Sequence, residues 1–299
     1  MEDNEVETMY QVQEKQTGNV APFEEHEKLG VLLVKNGKLK QGDTVKVRKF
    51  QEKKSLLFGE AAVKLKLVSK GDIEQALATQ FAFPYISTSK YRFGPDLVMA
   101  HSPFGQEANA IRAIRTQLLF EWDKMDYPVM SLVSPVSGDG KSYTSSNLAV
   151  AFAQIGKKVL LIDANLHSPR QHEIFNISNR FGLSSILTDG SINKLAYAIE
   201  GIANLSLLPA GPIPPHPLEM FSSGNFHDAL EKYKTHFDMI LVDTPNLMEG
   251  SETNIISSMS HHAIIIARKD QTRFDAIIDL KHNLDSIDVK TVGMILNQV

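Results

Sequence analysis

Six short runs of mostly apolar residues punctuate the second two-thirds of the chain: Val129–Val133, Val159–Ile162, Leu205–Leu208, Met239–Val242, Ala263–Ala267 and Thr291–Leu296. Between them lie segments of helical character, among them Lys141–Gln154, Asn225–Tyr233 and Arg273–Leu284, and a helix through Arg112, Ile114, Arg115, Leu118 and Leu119 precedes the first run. Apolar runs of four to six residues alternating with helices predict buried strands in a parallel sheet with helices on both faces, an α/β domain.

The first third is patterned differently. Lys28–Leu39, continued to Gln51, aligns with Leu57–Val68, continued to Gln80, and pairs Gly30 with Gly59, Val34 with Val63 and Gln51 with Gln80. Each copy has an apolar helical stretch, a polar break and a second helix, Gly71–Gln80 in the second copy, where Asp72 can cap by accepting backbone N–H bonds. The expected product is a small, mainly helical N-terminal domain of tandem helical hairpins. Together these patterns predict an acidic disordered tail over residues 1–27, the repeat domain over 28–88, a connector marked by Pro95 and Pro103 over 89–105, and the α/β domain over 106–299.

Composition narrows the picture. A chain of 299 residues, 42% hydrophobic and 22% charged, is ordinary for a soluble globular protein of two domains. The absence of cysteine excludes a disulfide framework and cysteine-ligated metals. No apolar run approaches the roughly 20 residues that span a bilayer, and the acidic N-terminus has no signal-peptide core. A cytoplasmic protein is expected. The net charge of −4 is unevenly spread. Met1–Glu27 carries eight carboxylates against Lys15, whereas the stretch from Lys28 to Lys70 is rich in lysine. A basic module of this kind either attracts an anionic partner or is simply a solvated surface.

The chemistry is concentrated after the first strand. Ser134-Pro-Val-Ser-Gly-Asp-Gly-Lys-Ser142 follows Val129–Val133 and opens the helix at Lys141, the context a phosphate-binding loop requires. Its glycines let backbone N–H groups point at phosphate oxygens, and the helix N-terminus adds partial positive charge. Lys141 can bridge β- and γ-phosphates, and Ser142 can offer its hydroxyl to Mg²⁺. Asp163 and Asp243 each end an apolar strand. The C-terminal edge of a parallel sheet is where ligands bind, so both can reach a Mg²⁺ beside Ser142. ATP and Mg²⁺ are the implied cofactors.

From Pro103 to Val299 the chain resembles the bacterial tyrosine kinases, the deviant-Walker branch of P-loop proteins that also holds the chromosome- and septum-partitioning ATPases. The markers are Ser134–Ser142 (Walker A), Val159–Pro169 (Walker A′) and Ile240–Pro245 (Walker B). The partitioning enzymes have a signature lysine near the start of the phosphate loop; here that region is Ser-Pro-Val-Ser, which favours the kinase branch and argues against nucleic acid as a partner. Ala110–Thr116, with Arg112 and Arg115, resembles a motif for subunit contacts in a homo-oligomer, and Leu208–Glu219 and Ile266–Arg268 resemble further family segments. The resemblance is to the exopolysaccharide chain-length-determinant, EpsG-like type, in which a cytoplasmic kinase pairs with a membrane polysaccharide co-polymerase. It implies Lys141, Asp163 and Asp243 as catalytic residues, nucleotide contacts from Ser137, Gly138, Asp139, Gly140, Lys141, Ser142, Tyr143 and Arg268, and metal positioning by Ser142, Asp163 and Asp243.

Four departures stand out. Where the family reads Asp-x-Asp-x-Arg, this chain reads Asp163-Ala-Asn165-Leu-His167, and Asn cannot take a proton from tyrosine. The glutamate that opens the subunit-contact motif is replaced by Asn109. The C-terminal tyrosine cluster is not seen in this sequence, its tail being either absent or cut off, and Tyr10 of the N-terminal tail is an alternative phosphoacceptor. The resemblance therefore implies either an autophosphorylating tyrosine kinase or an ATP-gated switch of the same export machinery. The N-terminal repeat resembles the tandem-motif domain at the front of type II secretion and type IV pilus ATPases, some of which bind cyclic di-GMP. The fourth departure lies there: the Arg-Leu-Gly of ligand-binding members stands as Lys28-Leu29-Gly30 and Leu57-Phe58-Gly59.

Overall fold

The computed structural model describes residues 29–81, 86, 90–122, 124–190, 196–247 and 250–298. The expectations for the acidic tail, for Tyr10 and for Lys28 lie outside the described residues. The chain divides into two compact units, one built on the helical repeat and one containing residues 90–103 and 107–298.

The first unit has four helices, α1 (Leu29–Lys35), α2 (Gln41–Lys54), α3 (Phe58–Lys64) and α4 (Lys70–Gln80). The α1-to-α3 and α2-to-α4 starts are offset by the same 29 residues (58 − 29 and 70 − 41), so the sequence repeat is a structural one. Equivalent positions are buried: Leu32, Leu33 and Val47 in the first copy, Ala61, Ala62 and Ala76 in the second. The turn repeats too. Gly37 and Lys66 both adopt left-handed backbone, φ 69° and 54°, and their N–H groups donate to Val34 O and Val63 O. Glycine takes that conformation without strain, whereas for lysine it costs about 1 kcal/mol. α1 packs on α4 and α2 on α3, so each copy completes the other. Ser69, rather than Asp72, occupies the N-cap of α4. The Ser69 hydroxyl accepts from Asp72 N–H (3.1 Å) and Asp72 accepts from Ser69 N–H (2.9 Å), a reciprocal capping box.

In the second unit all six apolar runs are strands: β1 (Val129–Val133), β2 (Val159–Asp163), β4 (Leu205–Leu208), β5 (Met239–Asp243), β6 (His262–Arg268) and β7 (Lys290–Asn297). A two-residue strand, β3 (Tyr197–Ala198), which no apolar run signals, adds antiparallel to β4. The order is β3-β4-β2-β5-β1-β6-β7, with every other pairing parallel. β1, β2 and β5 are buried at every position, because helices cover both faces.

On one face, Val129, Leu160, Ile162, Ile240 and Val242 pack with α9 (Leu183–Asp189), α11 (Asn225–Tyr233) and α12 (Glu252–Ser260), and α13 (Phe274–Ser286) covers Val133 and Ile265. On the other lies α7 (Lys141–Ala153), flanked by α6 (Gln106–Trp122), whose Trp122 ring sits 6.2 Å from that of Phe152. Asn147 of α7 fastens the segment before α6, accepting from Met99 N–H (3.1 Å) and donating to Asp96 O (2.8 Å). Short helices α5 (Val98–His101), α8 (Gln171–Ile174) and α10 (Pro217–Phe221) complete the unit. No helix among the described residues is long and apolar enough to cross a membrane.

Candidate nucleotide site

The sheet order sets the site. β1 lies between β5 and β6, and β2 lies beside β5, so the C-terminal ends of β1, β2 and β5 are neighbours. The loop after β1 is held open by two left-handed glycines, Gly138 (φ 84°) and Gly140 (φ 93°), the latter capping α7. A Cβ on Gly138 would meet nothing, whereas one on Gly140 would run into the Asn297 side chain at the end of β7. Asn297 also donates to Asp139 O at 3.3 Å. Lys141, 7% exposed, folds its ammonium back onto Ser134 Oγ at 2.7 Å, and Ser134 in turn donates to Val136 O. The loop thus holds a buried cation at the mouth of a helix, the arrangement an anionic phosphate chain complements.

Asp163 and Asp243 are register partners on β2 and β5, and both are fully buried. Burial and then the neighbouring Asp243 carboxylate push Asp163 well above the ordinary carboxylate range, against the pull of the Gln171, Arg170 and Asn165 N–H groups. Burial also raises Asp243, against the Ser142 hydroxyl, the Gln171 amide, Lys141 and Arg170. Asp243 Oδ2 accepts from Gln171 Nε2 at 2.7 Å, and Oδ1 has no hydrogen-bond partner. Two buried, mutually repelling carboxylates with one orphaned oxygen and an adjacent hydroxyl are a donor set that fits Mg²⁺. Among the described residues no group of three or more His, Asp or Glu side chains is placed to hold a metal ion by itself.

The sequence-derived residues are distributed as follows. Lys141, Ser142, Asp163 and Asp243 come together. Ser137 is exposed at the loop tip. Asp139 turns inward, accepting from Thr272 Oγ1 (2.6 Å) and Val136 N–H (3.4 Å), so its side chain shapes the loop. Arg268, half-buried at the end of β6, donates its backbone N–H to the same Thr272 hydroxyl (2.7 Å), coupling β6 to the loop. The Tyr143 hydroxyl donates to Glu107 of α6 at 2.9 Å, and burial and that carboxylate raise its pKa. Arg112 is brought down to about 10 by burial and the nearby Arg115.

Sequence reasoning missed Gln171. Its buried amide nitrogen donates to Ser142 O (3.1 Å), Ser145 Oγ (2.9 Å) and Asp243 Oδ2, tying Walker A to Walker B. It missed Thr272 and Asn297 as well. Their partners lie 133 and 158 residues away, beyond any local pattern.

A Walker loop closed by two strand-end aspartates defines a P-loop nucleotide-binding domain, and the profile of the AAA domain family matches residues 129–294. Tyrosine-protein kinase YwqD of Bacillus subtilis is 31% identical over 206 residues, covering 69% of this chain and 87% of that protein. Among solved structures, the chimerical protein CapA2B2 superposes with a TM-score of 0.64 at 27% identity, covering 76% of this chain and 99% of that one. The kinase domain of the Escherichia coli tyrosine kinase ETK gives 0.64 at 28% identity, covering 68% and 80%. The chain belongs to the bacterial tyrosine-protein kinase family.

Proposed function

We propose that this chain transfers the γ-phosphoryl group of Mg-ATP to tyrosine hydroxyls, its own and those of a membrane polysaccharide co-polymerase, and so regulates the chain length and export of an exopolysaccharide. The carrying observation is the register pair Asp163 and Asp243, buried beside Ser142 and the inward-folded Lys141. Bound Mg²⁺ would supply charge neutralisation of the phosphates. The chain's own contribution is positional: loop N–H groups and Lys141 hold the phosphates, while Ser142, Asp163 and Asp243 hold the cation. Arg112 and Arg115 serve self-association, and the kinase is cytoplasmic, reaching the inner membrane through its partner. The helical repeat serves as a docking module; cyclic di-GMP is a ligand to test on it.

Full-length protein incubated with Mg-ATP and the cytoplasmic segments of its co-polymerase should become reactive to anti-phosphotyrosine antibody, and Lys141→Met should not. Absence of signal from the wild type would sink this function. One observation favours a second reading, a nucleotide-driven switch without transfer. The Asn165 side chain is committed to the loop, accepting from His167 N–H (3.3 Å) and Ser168 N–H (3.0 Å), and offers no proton acceptor. Oligomerisation driven by ATP without phosphotyrosine would support it.

A further inference from the structure

The loop that contains Asn165 contains another group suited to the missing task. Residues 163–171 curl around the Asp163 carboxylate, whose Oδ1 accepts from Asn165 N–H (3.2 Å) and whose Oδ2 accepts from Arg170 N–H (3.0 Å) and Gln171 N–H (2.9 Å). His167 lies midway in this curl, its backbone fixed by the Asn165 side chain. Its Nε2 is 3.1 Å from Glu252 Oε1. The two side chains differ sharply in exposure: 34% for His167 and 5% for Glu252. The second Glu252 oxygen, Oε2, is buried without a hydrogen-bond partner. Glu252 opens α12 nine residues after Asp243 (252 − 243), so the pair joins the loop after β2 to the segment after β5. Those are the two strands that end in the paired aspartates.

A buried carboxylate against one ring nitrogen of a half-open imidazole fixes its tautomer. With Nε2–H donating to Glu252, the lone pair would be left on Nδ1. We propose that His167, oriented by Glu252, accepts the proton of the attacking tyrosine hydroxyl. This role rests on the kinase function proposed above. In the step, the tyrosine O–H bond breaks as its proton passes to His167 Nδ1. The phenolic oxygen bonds to the γ-phosphorus, and the bond from that phosphorus to the β–γ bridging oxygen breaks, leaving ADP. The imidazolium then returns its proton to solvent. His167 is the proton acceptor and Glu252 a positioning residue. On this account the two departures of the loop are one change: Asn165 gives up the carboxylate, and His167 replaces a donor-only guanidinium with a ring whose second nitrogen can accept.

Four measurements on the full chain test it. Nitrogen-15 NMR of the nucleotide-free protein should find His167 as the Nε2–H tautomer, and Glu252→Ala should return a mixture. His167→Gln should lose phosphotransfer by about 100-fold or more while binding a fluorescent ATP analogue as the wild type does. Adding Asn165→Asp to His167→Gln should restore much of that rate, because it returns a carboxylate to the loop. Phosphotransfer by His167→Gln close to the wild-type rate would overturn the role, as would a loss that neither Asn165→Asp nor, in a His167→Gly variant, added imidazole repairs. A wild type that transfers no phosphate would overturn the kinase function itself, a result distinct from an active wild type indifferent to His167.

Discussion

Replacing Asp243 with Asn should stabilise the nucleotide-free protein while abolishing its response to Mg-ATP. Asp163 and Asp243 face each other across adjacent strands, in register and wholly buried. Strand spacing of about 4.8 Å puts the carboxylates roughly 5 Å apart. At an effective dielectric of about 20, two unit charges at that distance repel by about 3 kcal/mol. Burial and Asp243 push the Asp163 carboxyl upward, so proton uptake relieves part of this repulsion as pH falls, and removing the Asp243 charge should recover on the order of 1 kcal/mol. An acid whose pKa rises on folding binds its proton more tightly in the native state. Its favourable contribution is complete below the unfolded pKa of roughly 4 and is lost as pH climbs through the folded value. The gain from Asp243→Asn should therefore be larger at pH 8 than at pH 5. Asn keeps an acceptor for Gln171 Nε2, so the bond of 2.7 Å is not forfeited.

For a domain of this size about 1 kcal/mol corresponds to about 2–4 °C in Tm. Differential scanning fluorimetry without nucleotide should find the variant higher by that amount at pH 8. With Mg-ATP at 100 times its Kd, the wild type should gain about 2.7 kcal/mol of stability, and Asp243→Asn should lose most of the Mg²⁺-dependent part. A variant less stable than wild type at pH 8, or one that keeps the full Mg²⁺-dependent shift, would refute the reasoning that these two carboxylates are held apart from their cation.

Gly140→Ala should weaken ATP binding at least tenfold by isothermal titration, because its Cβ would collide with the Asn297 side chain in a backbone at φ 93°. Gln171→Leu should lower Tm by several degrees and also loosen nucleotide binding, because it takes the Gln171 donor from Asp243 Oδ2 in a buried setting where such an orphan costs about 1–3 kcal/mol, while Ser145 keeps only its bond to Ser142 O. In the helical unit, Ser69→Ala should cost about 1 kcal/mol in chemical denaturation by opening the capping box at α4. The same change made to the exposed Ser286 hydroxyl, which donates to Asn283 O, should leave stability within about 0.5 kcal/mol.

The parts of this molecule that could be read from sequence are those whose physics is local. A central strand buried on both faces must be apolar at every position, so β1, β2 and β5 stand out as runs, and a carboxylate at the end of such a run has no packing reason to be there. That made Asp163 and Asp243 visible. The phosphate loop was visible because its glycines and Lys141 lie within a few residues. The two-residue edge strand β3 offers too short a pattern to detect. α12 was invisible for a different reason. Its buried face includes Thr253, Ser257 and Ser260 as well as Ile256, so it lacks the contrast between faces that marks an amphipathic helix.

Connections between segments were the least legible, and they give the site its detail. Gln171 reaches Asp243 across 72 residues and His167 reaches Glu252 across 85. Gln171 carries no local signal, and His167 stands out only as a departure from arginine; neither reveals its partner. Both become chemically specific only once β2 and β5 lie side by side, because that adjacency brings the loop after one strand against the segment after the other. The Walker A′ aspartate is thus more than a strand-end carboxylate: its three backbone N–H bonds shape the loop that aims Gln171 at Asp243 and His167 at Glu252. Removing the Asp163 carboxylate would release both side chains together, so Asp163→Ala should perturb the site more than the loss of one metal ligand, whereas Asp243→Asn leaves the loop wound.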